Sequence, residues 1–128
     1  MESIDKNRCI RSCRDEDQIQ RSKVLIESRL HTVEKEAKVY RMLSNAVRLQ
    51  ILYLLKEETR LCVCDISEIL NMTIPAISQH LKKLRNENIV FIERVGNTLY
   101  NKLDPQFLPL LNLNRSVISS TLLADYAS

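Results

Sequence analysis

The four cysteines are the residues of this 128-residue chain whose type and spacing could do chemistry. They form two close pairs, Cys9 with Cys13 and Cys62 with Cys64. Thiolates are soft ligands, so four of them suit Cd(II), Pb(II) or Zn(II). Each pair alone is a weak signal, since its spacing differs from the Cys-x-x-Cys of zinc ribbons. Burial as small apolar side chains is an alternative for Cys62 and Cys64, but it explains the cysteines of the polar first segment poorly.

The cellular compartment in which we expect the protein limits the roles that these thiols can have. The first thirty residues contain no apolar signal-peptide core, and no apolar stretch is long enough to span a membrane. We therefore expect a cytoplasmic protein in which thiols stay reduced and no membrane is a partner. Reduced cysteines are metal ligands or redox-sensitive groups more often than disulfide partners, so both roles stay open.

Composition argues against the common enzyme classes. The chain has a single glycine, whereas the Rossmann fingerprint and the P-loop each need several. It also lacks a Cys-x-x-Cys motif, a βαβ pattern and a concentration of His with carboxylates. We expect no enzymatic activity, no catalytic residues and no small organic substrate.

Charge is concentrated in one segment. Residues 71–103 carry five Lys and Arg against two Asp and Glu, which matches the net charge of +3 of the whole chain. A local excess of basic side chains is what a nucleic-acid phosphate backbone selects. The alternative is an ordinary solvated surface, and the motifs within the segment decide between the two.

Two short helices in this region have the spacing of a helix-turn-helix. The first is amphipathic and is expected to turn Ile66, Ile69 and Leu70 inward. The second, Ile74 to about Asn86, follows Thr73, whose hydroxyl is a suitable N-cap. We call this second helix the reading helix, because in such motifs it enters the major groove.

A β-hairpin is predicted directly after the reading helix. Its strands are Val90 to Val95 and Thr98 to Leu103, joined by Gly96-Asn97, where positive φ is needed. We call this hairpin the wing. The predicted fold class is therefore mainly α with a small β-hairpin, a winged helix-turn-helix.

The candidate DNA contacts are polar and basic side chains of the reading helix and the wing. Gln can bond adenine bidentately, and Lys and Arg neutralise phosphates or read guanine. His80 has a second interpretation as a hydrogen-bonded structural residue. The predicted contacts are Thr73, Ser78, Gln79, His80, Lys82, Lys83 and Arg94.

Terminal helices are expected to make the protein a homodimer. A central helix is predicted from Ala46 to Lys56, and because it is apolar nearly all round it is expected to be buried. The terminal helices are predicted at about 15–30 and 33–44, before the central helix, and at 105–123, after the wing. Their apolar surface exceeds what a small domain can cover by itself. Residues 1–14 are expected to form a flexible cysteine-bearing arm, and residues 15–128 the winged domain with its dimerisation helices.

These motifs together resemble the ArsR/SmtB family of winged-helix metal-responsive repressors. The resemblance rests on Leu61-Cys-Val-Cys-Asp-Ile66, on Pro75-Ala-Ile-Ser-Gln-His-Leu81 and on the hairpin, and it covers about residues 33–125. It implies a homodimer that binds operator double-stranded DNA when free of metal. It also implies that metal binding releases the DNA.

Within the family, the cysteine pattern is most similar to the CadC-like cadmium and lead sensors. That similarity implies a site in which Cys9 and Cys13, from the partner subunit's arm, join Cys62 and Cys64. Arsenic sensors of the family often carry a third local cysteine where this chain has Ser67, which argues against an arsenite site of that kind.

The site that zinc sensors of the family carry on the last helix looks absent. Asp104 stands in its first place, but Gln106, Val117 and Ser120 occupy the others. Asp104 is explained by N-capping before a proline. Zn(II) at the thiols, arsenite, thiol oxidation and a structural zinc site in a constitutive DNA binder remain alternatives.

Overall fold

The computed structural model describes residues 12–112 of the chain. The described chain divides between Glu36 and Ala37 into two units, each of which is considered by itself. Helix α1, Glu16–Leu43, begins in the first unit and ends in the second. None of the helices in the described range is long and apolar enough to cross a membrane.

Helix α1 corrects the expectation of two helices before residue 44. The segment between 30 and 33 contains neither Gly nor Pro, so nothing interrupts the intrahelical hydrogen bonds there. Apolar side chains on α1 are exposed, including Ile26 at 60% and Leu30 at 51%. The part of the helix that lies in the first unit therefore has an exposed apolar surface.

The second unit is built around helix α2, Ala46–Glu58. Asn45 caps it by accepting a hydrogen bond from the Arg48 amide at 3.0 Å. The core contains α2 side chains together with residues of the following helices and the wing. The fully buried members include Ile51, Leu52, Leu55, Ile66, Ile77, Leu81, Leu84, Ile89 and Val90.

Helices α3, Val63–Leu70, and α4, Ile74–Asn86, form the helix-turn-helix. Asn71 ends α3 in the left-handed conformation, and its amide bonds back to the helix. The Thr73 hydroxyl accepts a hydrogen bond from the Ala76 amide, which confirms the predicted N-cap. One expectation was wrong: Ile69 is 51% exposed, because α3 is short and buries fully only the side of Ile66.

The wing has the predicted bounds. Strands β1, Val90–Val95, and β2, Thr98–Leu103, pair antiparallel, with Val95 opposite Thr98. Gly96 has φ of +62°, which glycine adopts without strain and which suits the tight turn.

A short 3-10 helix, Pro105–Phe107, follows the wing and is capped by the Asp104 carboxylate, as predicted. Residues 108–112 continue as α-helix. The remainder of the predicted 105–123 helix lies outside the described residues.

Candidate nucleic-acid interface and thiol segment

The outward side of α4 carries the candidate DNA contacts. Ile77, Leu81 and Leu84 anchor the opposite side in the core, so the orientation of the helix is fixed by packing. Thr73, Gln79, Lys82 and Lys83 are exposed, and Ser78 and His80 are half-buried. The helix therefore offers amide, hydroxyl and ammonium groups on one accessible face, the chemistry that reads a major groove.

Arg48 is a buried cation in the first turn of the apolar α2, only 8% exposed. Its Nε donates to the Met42 carbonyl at 2.7 Å, and its Nη2 donates to the Arg41 carbonyl at 3.5 Å. Both carbonyls belong to the last turn of α1, where the helix dipole favours positive charge. The residue escaped the sequence prediction, although one arginine within an apolar helix was a visible signal.

His80 packs against that buried cation. Arg48 Nη1 lies 3.4 Å from His80 Nδ1. Partial burial first, and then the positive charges of Arg48 and Lys83, lower the pKa of His80 below its ordinary value of 6.5. The neutral ring can accept the arginine N–H, so the structure provides the contact that the structural interpretation of His80 expects.

The wing presents Arg94 on β1, one pair from the tip, opposite Leu99. Arg94 is exposed. On the other face of the hairpin, Glu93 accepts hydrogen bonds from Lys102 and Arg60, both at 3.2 Å. Lys102 and then Arg60 lower the pKa of the Glu93 carboxyl. Glu93 is thereby paired within the protein, whereas Arg94 makes no ion pair within residues 12–112.

We call residues 60–64, which lead into α3, the thiol segment. Cys62 is the N-cap residue of α3 and is half-buried, and Cys64 lies in the first turn with an exposed thiol. Both are free thiols, as is the exposed Cys13, while Cys9 lies outside the described residues. Residues 12–112 contain no group of three or more potential metal ligands.

Cys62 and Cys64 could supply two of the four ligands of a soft-metal site. Two sulfur ligands, at the N-cap and in the first turn of α3, suit Cd(II), Pb(II) or Zn(II), which need further ligands from elsewhere to complete their coordination. A groove of about 500 Å3 runs beside the segment. We call it the acidic groove, and its lining residues are Leu54, Glu58, Leu61, Asp65, Glu68 and Ile69.

The helix-turn-helix, the basic outward face of α4 and the wing define a class of protein, the winged helix-turn-helix DNA-binding regulators. Residues 45–90 match the family described as bacterial regulatory protein, arsR family. The chain is also 31% identical over 80 residues to the arsenical resistance operon repressor of Bacillus subtilis, a match that covers 62% of this chain and 76% of the repressor. The chain belongs to the arsR family, whose members are transcriptional regulators and not enzymes.

Another relative is named for cadmium resistance. The cadmium resistance regulatory protein CadC homolog of Staphylococcus aureus is 36% identical over 75 residues, which is 59% of this chain. The match spans 62% of that relative's length. A homodimeric winged helix-turn-helix domain from Mycobacterium bovis has a TM-score of 0.66 at 26% identity, covering 71% of this chain and 84% of that one. Reduced HlyU from Vibrio cholerae has a TM-score of 0.62 at 26% identity, covering 72% and 96%.

Proposed function

We propose that this chain is a metal-responsive repressor that binds operator DNA without metal and is released by Cd(II), Pb(II) or Zn(II). The observation that carries the proposal is the position of Cys62 and Cys64 at the start of α3, the helix that leads into α4. Release of the operator would allow transcription of metal resistance or efflux genes. The cadmium and arsenical resistance named for its relatives supports a thiol-binding effector.

The proposed site takes two further thiolates from the arm of the partner subunit. Cys9 and Cys13 would join Cys62 and Cys64, giving the four soft ligands that large divalent ions accept. Charge supports this occupant, because residues 8–14 contain three arginines and the acidic groove beside the thiol segment contains three carboxylates. Opposite charges would steer the arm towards the thiols before metal binds.

A homodimer is the assembly that this site requires. Apolar residues recur along α1 at spacings of seven, four, three and seven, from Ile19 through Ile26, Leu30 and Val33 to Tyr40. That is the repeat of a two-stranded helical seam, and the exposure of its members is otherwise unexplained. We therefore propose that α1 packs against a second copy, with the C-terminal segment completing the interface.

The DNA contacts are proposed from chemistry and exposure together. Gln79 and Ser78 would read base edges, and Lys82 and Lys83 would neutralise phosphates. Thr73 and Arg94 would contact the backbone from the start of α4 and from the wing. His80 would add a contact only through the part of its ring that faces away from Arg48.

Metal and DNA are coupled in this proposal by a difference in affinity between two states of the protein. The coupling is reciprocal, and a few kcal/mol corresponds to roughly a hundredfold change in DNA affinity. Binding a dication to four thiols with loss of their protons changes the local charge by about −2, which also disfavours phosphate. Screening beyond about 10 Å makes this second effect the smaller one.

The test is a Cd(II) titration of the protein bound to a fluorescent duplex that the protein has itself selected from a randomised pool. We expect Cd(II) to weaken binding roughly a hundredfold in the wild type and to leave a Cys62→Ser variant bound. Ser28→Ala, on exposed α1, is the matched control and should respond as the wild type. Unchanged wild-type affinity at saturating Cd(II) rules the proposal out.

Thiol oxidation is the second candidate, favoured by the accessibility of Cys64 and Cys13. Hydrogen peroxide would oxidise two thiols to a disulfide, with release of two waters. If the protein senses oxidation, peroxide should lower its DNA affinity and reduction of the thiols should restore it. Cd(II) should leave the DNA affinity unchanged. Mass spectrometry under non-reducing conditions identifies the paired cysteines.

A further inference from the structure

The thiol segment is attached to the wing by an isolated β-bridge. The Leu61 amide donates to the Asn101 carbonyl at 3.2 Å, and the Asn101 amide donates to the Leu61 carbonyl at 2.8 Å. This pair of reciprocal bonds is an antiparallel bridge between residues forty positions apart. Leu61 directly precedes Cys62, so one peptide unit separates the first thiol of the segment from strand β2.

The Asn101 side chain adds a third hydrogen bond to the same carbonyl. Its Nδ2 donates to the Leu61 oxygen at 3.3 Å, and the residue is 4% exposed. Its Oδ1 is buried and finds no partner among the described residues. An apolar residue would avoid this cost of burying an amide, so stability alone does not explain an asparagine here.

Arg60 holds the segment from the other face of the wing. Its guanidinium lies 4.3 Å from the centre of the Tyr100 ring and bonds Glu93. Tyr100 and Glu93 are opposite each other in the hairpin, and Asn101 points to the other side because side chains alternate along a strand. Residues 60 and 61 are therefore held to the wing on both of its faces.

We propose that Asn101 and Arg60 are positioning residues that transmit ligand binding at Cys62 to the wing. A displacement of Cys62 moves Leu61. The side-chain contacts of Asn101 and Arg60 hold the backbone bridge rigid, so that this movement passes to β2. Asn101 lies about 13 Å along the strand from the tip, so a small rotation at the bridge is enlarged where Arg94 meets DNA. The inference rests on the proposed function, which supplies the ligand.

The test compares variants by the ratio of DNA dissociation constants with and without Cd(II). Asn101→Leu removes the side-chain bond to Leu61 and the unpartnered Oδ1 while keeping the number of side-chain heavy atoms, and Arg60→Gln removes the ion pair and most of the stacking. We expect the ratio to fall from roughly a hundredfold to below about tenfold in both variants. Their Cd(II) affinity without DNA should stay within about threefold of the wild type. Lys102→Gln breaks the other Glu93 ion pair, leaves the bridge intact and should keep the wild-type ratio.

A second measurement separates this inference from the proposed function. Amide NMR shifts of residues 98–101 are followed while Cd(II) is added to wild-type protein without DNA. The inference expects these shifts to move in the wild type and in Lys102→Gln, and to move much less in Asn101→Leu. The inference is wrong if the wing amides of the wild type do not shift when Cd(II) is added. It is also wrong if Asn101→Leu and Arg60→Gln keep the wild-type ratio of DNA dissociation constants with and without Cd(II). A wing that responds while DNA affinity stays constant supports the link and overturns the proposed function instead.

Discussion

Arg48 Nη1 lies 3.4 Å from His80 Nδ1, so a buried cation of α2 touches the helix that is proposed to read DNA. The same guanidinium holds the Met42 and Arg41 carbonyls at the end of α1. One side chain therefore ties the end of the proposed dimerisation helix to α4. Its geometry depends on the planar fork of arginine, which lysine does not reproduce.

Replacing Arg48 with lysine should destabilise the protein while retaining its charge. The shorter set of donors leaves at least one buried carbonyl unsatisfied, at a cost of about 1–3 kcal/mol in the free energy of unfolding. Urea denaturation measures the loss, and DNA affinity should fall as α4 loses its support. Arg21→Lys, on the exposed part of α1, is the control and should leave both quantities unchanged.

His80 should make stability depend on pH. Because its folded pKa is lowered, the unfolded chain binds the proton more readily than the native protein. The free energy of unfolding should therefore be highest above about pH 6.5 and decline as the pH falls towards the folded pKa. His80→Gln should flatten this decline in urea titrations, whereas exposed His31→Gln should keep it. A decline of equal size in both variants contradicts the assignment.

Lys82 and Lys83 should account for part of the salt dependence of DNA binding. Each phosphate contact contributes about 0.9 to the slope of log affinity against log salt. The double change to glutamine should lower the slope by up to about 2 and weaken binding at low salt. Fluorescence anisotropy at several salt concentrations measures both effects. The exposed Lys35→Gln variant should keep the wild-type slope, and an unaltered slope in the double variant would reject α4 as the DNA-binding helix.

Ser67→Cys should create a response to arsenite. The change adds a third thiol on α3, close in sequence to Cys62 and Cys64, at the position where arsenic sensors of the family often have one. It removes the Ser67 hydrogen bond to the Met72 carbonyl, so a loss of about 1 kcal/mol in stability is expected. As(III) titration should release DNA from this variant at concentrations that leave the wild type bound. Ser67→Ala controls for the lost hydrogen bond and should not respond.

Leu30→Glu should dissociate the proposed dimer. A carboxylate in the α1 seam would be buried without a partner, which a helical interface does not tolerate. Sedimentation velocity should show the wild type as a dimer and the variant as a monomer at micromolar concentration. Ser28→Glu introduces the same charge away from the seam and should remain dimeric. A dimeric Leu30→Glu variant means that another surface forms the interface.

Local signals made much of the fold predictable. The Thr73 hydroxyl, Pro75 at the start of α4 and Gly96 in the turn act within a few residues of the features they determine. Their positions allowed the bounds of the reading helix and of the wing to be predicted from the sequence. The same local reasoning misjudged α1: it divided the segment between 30 and 33, although the apolar spacing continues across these positions and no residue there stops a helix.

Contacts between distant segments could not be predicted in the same way. The Arg48 contact with His80 and the bridge from Leu61 to Asn101 join residues thirty-two and forty positions apart. Neither leaves a periodic pattern, because each depends on how folded elements meet. The sequence contains only an indirect sign of each contact, a polar residue within an element that packs on the core: Arg48 in α2 and Asn101 in β2.

The bridge between Leu61 and Asn101 also matters for protein engineering. A designer who transplants the thiol segment into another winged helix, to make a new biosensor, would ordinarily move the contiguous residues 60–64. Such a graft would leave its hydrogen-bonding partner behind on β2. A portable sensor is therefore discontinuous in sequence: in addition to the arm with Cys9 and Cys13, residue 101 of the host must be replaced together with the loop.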